Sequence, residues 1–235
     1  MIDRGRRGPA HVAIAQTLGV SIVTGVHEPG STLMGEVDLA GQFGVSRSVV
    51  RESLRMLNAK GLVESRPKSG TRIRERALWN LLDPELLEWM FEGIPPRTFV
   101  RSLFQLRLIV EPAAAELAAV QRTARQLSRM GHALEMMAEH GLKTQAGQEA
   151  DQQFHAVILQ ATENELLVSL SASIAAAVRW TTYFKHRGAH HLKDPIPAHR
   201  RLFEAIANGD AAAARTATEA LILQAERDTE QALQD

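Results

Sequence analysis

The sequence contains no cysteine, and this absence excludes a fold held together by disulfide bonds. It also lacks any apolar run near the roughly 20 residues that a membrane-spanning helix requires. The basic residues at its start are not followed by the apolar core of a signal peptide. With 235 residues, of which 45% are hydrophobic, the chain is predicted to be a soluble cytoplasmic protein with a buried core and no membrane partner.

Net charge is also absent, but the zero total hides an asymmetry along the chain. Residues 1–76 carry 12 lysine and arginine residues against 7 aspartate and glutamate residues, whereas residues 77–235 carry 15 against 20. A basic segment beside an acidic one is a reason to suspect that the basic part binds a polyanion. Chance variation of the surface explains the charge difference equally well, so the choice between the two explanations depends on the residue pattern of the basic segment.

The first part of the chain has the pattern of a small helical domain with a hairpin. Apolar periodicity predicts three helices, and short runs of strand-forming residues flank a turn that contains proline and glycine. The predicted helices cover His11–Thr24, Glu36–Phe43 and Ser46–Lys60, and the predicted strands cover Leu62–Glu64 and Thr71–Ile73. Residues 1–76 are therefore predicted to form one compact unit.

The character of the sequence changes after residue 76. An apolar segment with Pro84 in a position suited to a first helical turn predicts a linker helix within residues 77–97. Beyond it the apolar residues recur with the period of an α-helix throughout, which predicts an all-α bundle over residues 98–235. Its predicted helices cover residues 98–120, 124–140, 147–162, 164–186, 196–207 and 210–234. The expected fold class is mainly α.

The helix that follows Ser46 has two distinct faces. Apolar and basic side chains fall on separate stripes at 100° per residue. The inward stripe holds Val50, Leu54 and Leu57, and the outward stripe holds Arg47, Ser48, Arg51 and Arg55. Arginine is the usual reader of guanine edges when a helix enters the major groove, and Lys68 and Gly70 in the hairpin turn suit a phosphate or the minor groove. The arginines alone would also suit an exposed helix with charge pairs, but the capped helix and basic hairpin together favour DNA.

These residues resemble a known family. Residues 10–75, with the run GVSRSVVRESLRMLNAKGLVE and the final glycine of the hairpin, resemble the winged helix-turn-helix of GntR-type bacterial transcription regulators. The resemblance implies that Ser46, Arg47, Ser48 and Arg51 contact operator DNA, that Gly70 lies at the wing tip, and that the protein is a homodimer on a palindromic site. One departure is Val37, where some members carry an arginine that makes an accessory DNA contact.

Three features of the second half could carry chemistry. Asp151 and His155 are spaced i,i+4, so both emerge from one helix face, where they could ligate a metal or merely hydrogen-bond to each other. Arg107 and Glu111 have the same spacing in an apolar helix. They could form a structural ion pair, or they could bind an anionic ligand. Arg179, also in an apolar helix, is another candidate anion ligand, and a lone His199 is more often structural.

Residues 99–230 resemble the all-helical FCD ligand domain of the fatty-acid-regulator branch of the GntR family. The resemblance implies that Asp151, His155 and His199 bind a divalent metal ion, zinc or similar. A fourth histidine of many members corresponds to Leu221 in this sequence, which leaves three protein ligands.

Similarity to the sugar-acid branch of that family further implies a carboxylate effector, such as an aldonate or its 2-keto-3-deoxy derivative. The effector residues would be Arg107, Glu111, Arg179 and, on the last helix, Arg227.

The predicted function is therefore a dimeric DNA-binding transcription regulator, a repressor that responds to a small carboxylate, and not an enzyme. One alternative is a metal-dependent hydrolase or lyase that uses the Asp151, His155 and His199 site. A second is a structural DNA-binding protein with a vestigial helical domain. The sequence leaves the operator, the effector and the metal open.

Overall fold

The computed structural model of the chain describes residues 9–66, 70–188 and 193–234. The chain divides into two compact units, the first ending at Ile94 and the second beginning at Pro95. Helices dominate both units, and the described residues contain a single two-stranded sheet. The mainly α fold class is confirmed.

The described residues of the first unit form four α-helices, a hairpin and a 3₁₀ turn. In chain order these are α1 (Ala10–Val23), α2 (Glu36–Phe43), α3 (Arg47–Ala59), β1 (Val63–Arg66), β2 (Gly70–Ile73), the 3₁₀ turn (Arg76–Leu78) and α4 (Pro84–Glu92). The second unit is helical throughout its described residues. Its elements are α5 (Arg97–Gln121), α6 (Ala124–His140), α7 (Gln145–Gln160), α8 (Glu165–Ser169), α9 (Ser171–Gly188), α10 (Ile196–Asn208) and α11 (Ala211–Ala232).

Helix α3 is held against α1 by its buried face. Ser53, which is fully buried, donates a hydrogen bond from its hydroxyl to the backbone oxygen of His11 at 2.9 Å. The predicted inward stripe is confirmed, since Val50, Leu54 and Leu57 are all buried. Gly61 ends this helix with φ +75°, and a Cβ there would lie 2.4 Å from the Leu78 carbonyl oxygen, so a side chain cannot be accommodated.

The hairpin forms a wing beside this helical core. β1 and β2 pair antiparallel, from Val63 with Ile73 to Arg66 with Gly70. Thr32 forms an additional antiparallel bridge to β2, which ties the chain before α2 to the wing. The predicted strands are thus present, with ends that differ by one or two residues.

The segment predicted to be a linker helix belongs to the first unit. Asp83 caps α4 by accepting a hydrogen bond from Leu86 N, and Pro84 occupies the first turn. Lys60 at the end of α3 forms an ion pair with Asp83 at 2.8 Å. The Trp89 ring packs against Gly19 of α1 so closely that a Cβ on Gly19 would lie 2.3 Å from it. Helix α4 is therefore fixed to both α1 and α3.

The second unit is a helical bundle around a large apolar core that includes Phe154, Met130 and Met137, each fully buried. One predicted helix, over residues 164–186, is instead two, α8 and α9, which break at Leu170. The Ser169 hydroxyl donates to the Leu166 carbonyl at 2.7 Å, a local bond that competes with helix continuation. No helix among the described residues is long and apolar enough to cross a membrane.

Candidate functional site

The helix-turn-helix of the first unit is set by two residues between α2 and α3. Gly44 ends α2 in the left-handed conformation, with φ +65°, and this allows the chain to turn sharply. The Ser46 hydroxyl then accepts a hydrogen bond from Val49 N and caps α3. The sequence therefore fixes where α3 begins and which of its faces points away from the core.

The outward face of α3 carries the residues predicted to meet DNA. Arg47, Ser48 and Arg51 are all exposed, as is Ser46 at the cap. Arg51 Nε donates to Glu36 Oε2 at 2.8 Å, and Arg47 Nη2 lies 3.7 Å from the same oxygen. Glu36 at the start of α2 thus contacts two guanidinium groups on one surface, which stays open to a large polyanionic ligand.

One further residue predicted to contact DNA is exposed on the wing. Gly70 is exposed with φ +80° at the start of β2, so the backbone is accessible at the tip of the hairpin. Lys68, also predicted to contact DNA, lies outside the described residues.

A buried charged network lies in the second unit. Arg107 and Glu111, one helical turn apart on α5, form an ion pair with Nε and Oε1 2.5 Å apart. Arg107 Nη1 also donates to the Thr181 hydroxyl of α9 at 3.4 Å. Burial would raise the pKa of Glu111, but the charges of Arg107 and His155 outweigh burial and lower the pKa to about 2. Glu111 is therefore an ionised, accepting group at neutral pH.

Glu111 also reaches the predicted metal ligands. Its second oxygen, Oε2, lies 2.7 Å from Nδ1 of His155 on α7. An ionised carboxylate can only accept, so Nδ1 carries the hydrogen and the Nε2 lone pair of His155 faces the other way. The backbone oxygen of Pro195 lies 2.9 Å from Nδ1 of His199 on α10, and this contact fixes the orientation of that ring.

Asp151, His155 and His199 converge at one point. Each offers one donor atom, and the three atoms lie within 4.8 Å of one another. His199 Nε2 is 3.0 Å from Asp151 Oδ1, and the Thr182 hydroxyl donates to Asp151 Oδ2 at 3.0 Å. Burial alone would raise the pKa of Asp151, but the hydrogen bond from His199 and nearby positive charge hold it well below its usual range. The predicted triad is thus assembled in the fold.

The chemistry of this donor set fits a divalent metal ion. One carboxylate oxygen and two imidazole nitrogens are ligands that zinc and similar ions accept, and three ligands leave coordination positions open. Leu221 lines the neighbouring cavity and offers no donor atom. These residues could therefore hold an ion that keeps room for oxygen atoms of water or of a bound ligand.

A cavity of about 260 Å³ adjoins the triad. Arg107 lines it from α5 and Arg227 lines it from α11, so the structure brings two of the predicted effector residues together. Glu111 does not line the cavity, but it binds Arg107 and His155, which do. The sequence reasoning missed two polar lining residues on α9, Thr182 and Lys185.

Arg179 does not line this cavity, contrary to the expectation from sequence. Its guanidinium lies 5.3 Å from the Trp180 ring centroid, and it lines a separate cavity with Tyr183 and His186. The reason is helical rotation: Arg179, Tyr183 and His186 share one face of α9, whereas Thr182 and Lys185 share another. We therefore do not include Arg179 in the proposed anion site.

Comparison with known families matches both units. Residues 11–73 match the family described as bacterial regulatory proteins, gntR family, and residues 102–224 match the FCD domain. The two matches cover the described helix-turn-helix, the wing and the bundle that contains the triad.

Individual relatives belong to the same class of protein, the transcription regulators. The galactonate operon transcriptional repressor of Escherichia coli is 33% identical over 215 residues, which are 91% of this chain and 94% of that protein. The Uxu operon transcriptional regulator of the same species is 29% identical over a match that covers 83% of this chain and 77% of that protein. These relatives are transcription regulators rather than enzymes.

A solved structure shows the same fold at low sequence identity. Lar, described as controlling the expression of the Listeria monocytogenes agr system, superposes with a TM-score of 0.66 at 18% identity, covering 97% of this chain and 99% of that one. This similarity concerns the fold alone.

Proposed function

The chain belongs to the GntR family of bacterial DNA-binding transcription regulators and carries an FCD domain, and we propose that it is a homodimeric repressor released from its operator by a sugar acid. The observation that carries the proposal is the combination, in one chain, of an exposed arginine face on a capped recognition helix and a cationic cavity beside a metal-ligand triad. The hydrolase or lyase alternative has no support among the relatives.

The recognition helix supports the DNA half of this function. Arg47 and Arg51 are held side by side by Glu36, and a guanidinium can donate two parallel hydrogen bonds to the acceptors of a guanine edge. Ser46, Ser48 and the wing backbone at Gly70 are suited to phosphate contacts, which fix register but carry no sequence information. We propose that Lys68 adds a further phosphate contact.

The cavity supports an effector that is both anionic and rich in oxygen. Arg107 offers a buried guanidinium for a carboxylate, and such pairs are frequently bidentate. The cavity volume of about 260 Å³ accommodates a six-carbon acid. One relative is named as the repressor of the galactonate operon, and galactonate is a sugar acid. We propose an aldonate or its 2-keto-3-deoxy derivative as the effector class.

The triad supports a divalent metal ion in this site, zinc or a similar ion. Asp151, His155 and His199 would hold the ion, which supplies a positive charge and open coordination positions for effector oxygens. Glu111 and the Pro195 carbonyl orient the two imidazoles toward that position. Arg107, bound to Glu111, thus belongs to the same network as the metal ligands.

The outer face of α5 supports assembly as a dimer. Ile109 and Val120 are 73% and 68% exposed, and eleven residues apart they lie on the same face of the helix. Exposed apolar side chains on one face are typical of a surface that pairs with another chain. A dimer would present two recognition helices to the half-sites of a palindromic operator.

Release from DNA would follow from a population shift. An effector that binds one arrangement of the dimer better than another favours that arrangement, and the recognition helices then lose their match to the two half-sites. A tenfold loss of operator affinity requires only about 1.4 kcal/mol, so a small rearrangement suffices.

The proposal is tested by thermal-shift screening of the purified full chain. A panel of sugar acids is screened with zinc, with manganese and with a chelator. The proposal expects at least one acid to raise the melting temperature, and the same acid to release the protein from DNA upstream of its own gene. If no acid stabilises the protein under any metal condition, the sensor function is wrong.

A further inference from the structure

Lys185 of α9 is a buried cation that the proposed function has not used. The residue is only 6% exposed, yet it lines the cavity beside Arg107 and the triad. Among the described residues, its ammonium group takes part in no hydrogen bond or ion pair. A buried charge without partners is costly, so an acceptor from outside the chain is the natural complement.

The position of Lys185 on its helix follows from the contacts of its neighbours. Thr181, four residues earlier, accepts a hydrogen bond from Arg107, and Thr182 donates to Asp151. Residues i and i+4 of a helix share a face, so Lys185 lies on the face of α9 that turns toward Arg107 and the triad. It therefore faces the cavity opposite α5.

The acidic groups nearby are already engaged. Both oxygens of Asp151 are used, one by His199 and one by Thr182, and Asp228 accepts a hydrogen bond from Gln224. Their charges favour the charged form of Lys185, but its burial and the nearby Arg107 oppose it, and the net effect lowers the pKa of Lys185. Arg107 and Lys185 are two of the cations on the wall of this cavity, and they repel each other until an anion enters.

We infer that Lys185 is a ligand-binding residue and that, with Arg107, it takes the carboxylate of the effector between α5 and α9. This inference rests on the proposed function and adds a cation from α9 to the anion site. It makes the cavity selective for an acid over the corresponding neutral polyol. The hydroxyl groups of the ligand are then directed to the triad, and the carboxylate joins two helices that flank the cavity.

Calorimetric titration of the full chain with galactonate and with galactitol, its uncharged counterpart, tests the inference. We expect the wild-type protein to bind galactonate and not galactitol. Lys185→Met should weaken galactonate binding at least tenfold, Lys185→Arg should retain most of it, and zinc binding should stay within about threefold of wild type in both. Lys143→Met, an exposed lysine outside the cavity, is the control and should bind as wild type does.

Three results would overturn the inference. If Lys185→Met binds galactonate with wild-type affinity and only melts at a lower temperature, Lys185 is purely structural. If the wild-type protein binds galactitol as tightly as galactonate, the cavity does not select for charge. If it binds neither galactonate nor any other sugar acid, the proposed function fails as well, and this outcome is distinct from the first. Should Lys185→Met fail to fold, Lys185→Gln replaces it with the same expectation.

Discussion

Glu111 and His155 lie with Oε2 and Nδ1 2.7 Å apart, and this contact links the arginine that we propose to bind the effector to a proposed metal ligand. Glu111 uses its other oxygen for Arg107, so one buried carboxylate holds a cation of the cavity and the ring of His155 at the same time. A group that binds Arg107 therefore acts on the same network that orients the metal site. We therefore expect the proposed binding of the effector and of the metal ion to be energetically coupled.

The first prediction concerns this carboxylate. Glu111→Gln should lower zinc affinity by about 10- to 100-fold, as removal of an orienting partner of a ligating histidine typically does. Calorimetric zinc titration of the purified protein measures the change. Glu116→Gln removes the same charge from an exposed position on the same helix, where Glu116 pairs with Arg215, and should bind zinc as wild type does. Equal zinc affinity in both variants would show that Glu111 is not an orienting group.

A second prediction concerns the recognition helix. Arg51→Ala should weaken operator binding by about 1–3 kcal/mol while sugar-acid binding stays unchanged. Fluorescence anisotropy at several salt concentrations also gives the number of phosphate contacts from the slope. The control is Arg215→Ala, which removes an exposed arginine of α11. If Arg51→Ala and Arg215→Ala bind DNA equally well, α3 does not read the operator.

A third prediction separates sensing from DNA binding. Arg107→Ala should bind the operator like wild type but fail to release it when a sugar acid is added, because the carboxylate of the sugar acid then has no buried guanidinium to bind. Arg227→Ala, at the exposed side of the same cavity, should respond with reduced sensitivity. Effector titrations of a preformed protein–DNA complex measure both. Normal release by Arg107→Ala would exclude the arginine from the anion site.

A fourth prediction concerns the attachment of α4. Lys60 pairs with Asp83 and Glu85 and lies over the Trp89 ring. Burial would lower its pKa, but the two carboxylates outweigh burial and raise the pKa. Lys60→Met should therefore destabilise the first unit by about 1–3 kcal/mol at pH 7.

The pH dependence of that difference has a definite sign. Because the folded pKa of Lys60 is raised, its stabilisation is complete below the unfolded value of about 10.4 and is lost as pH rises through the folded value. Calorimetric unfolding of wild type and Lys60→Met at pH 7 and near pH 11 should show a gap that narrows at the higher pH. A stability difference that is larger near pH 11 than at pH 7 would contradict a raised pKa for Lys60.

Much of the fold was predictable because the sequence marks the ends of its helices. Ser46 and Gly61 bound α3, and both act as caps in the structure. Apolar periodicity identified most helices of the bundle to within a few residues. The break at Leu170 was missed because apolar residues continue on both sides of it.

The site was predictable only in part. The i,i+4 spacing of Asp151 and His155 placed both on one face, but their meeting with His199 depends on how α7 and α10 pack. Arg179 was assigned to the anion site because it lies in an apolar helix, and rotation of α9 places it elsewhere. Lys185 was not predicted because the sequence does not show whether the single lysine of α9 is buried.

The most direct test of the central claim is an operator-binding titration of the full chain, with a galactonate series and with Arg107→Ala beside wild type. The account predicts that galactonate or another sugar acid raises the operator dissociation constant of wild type at least tenfold and leaves that of Arg107→Ala unchanged. If acids that measurably bind the wild-type protein leave its operator affinity unaltered, ligand occupancy of the bundle does not control DNA binding, and the account is contradicted.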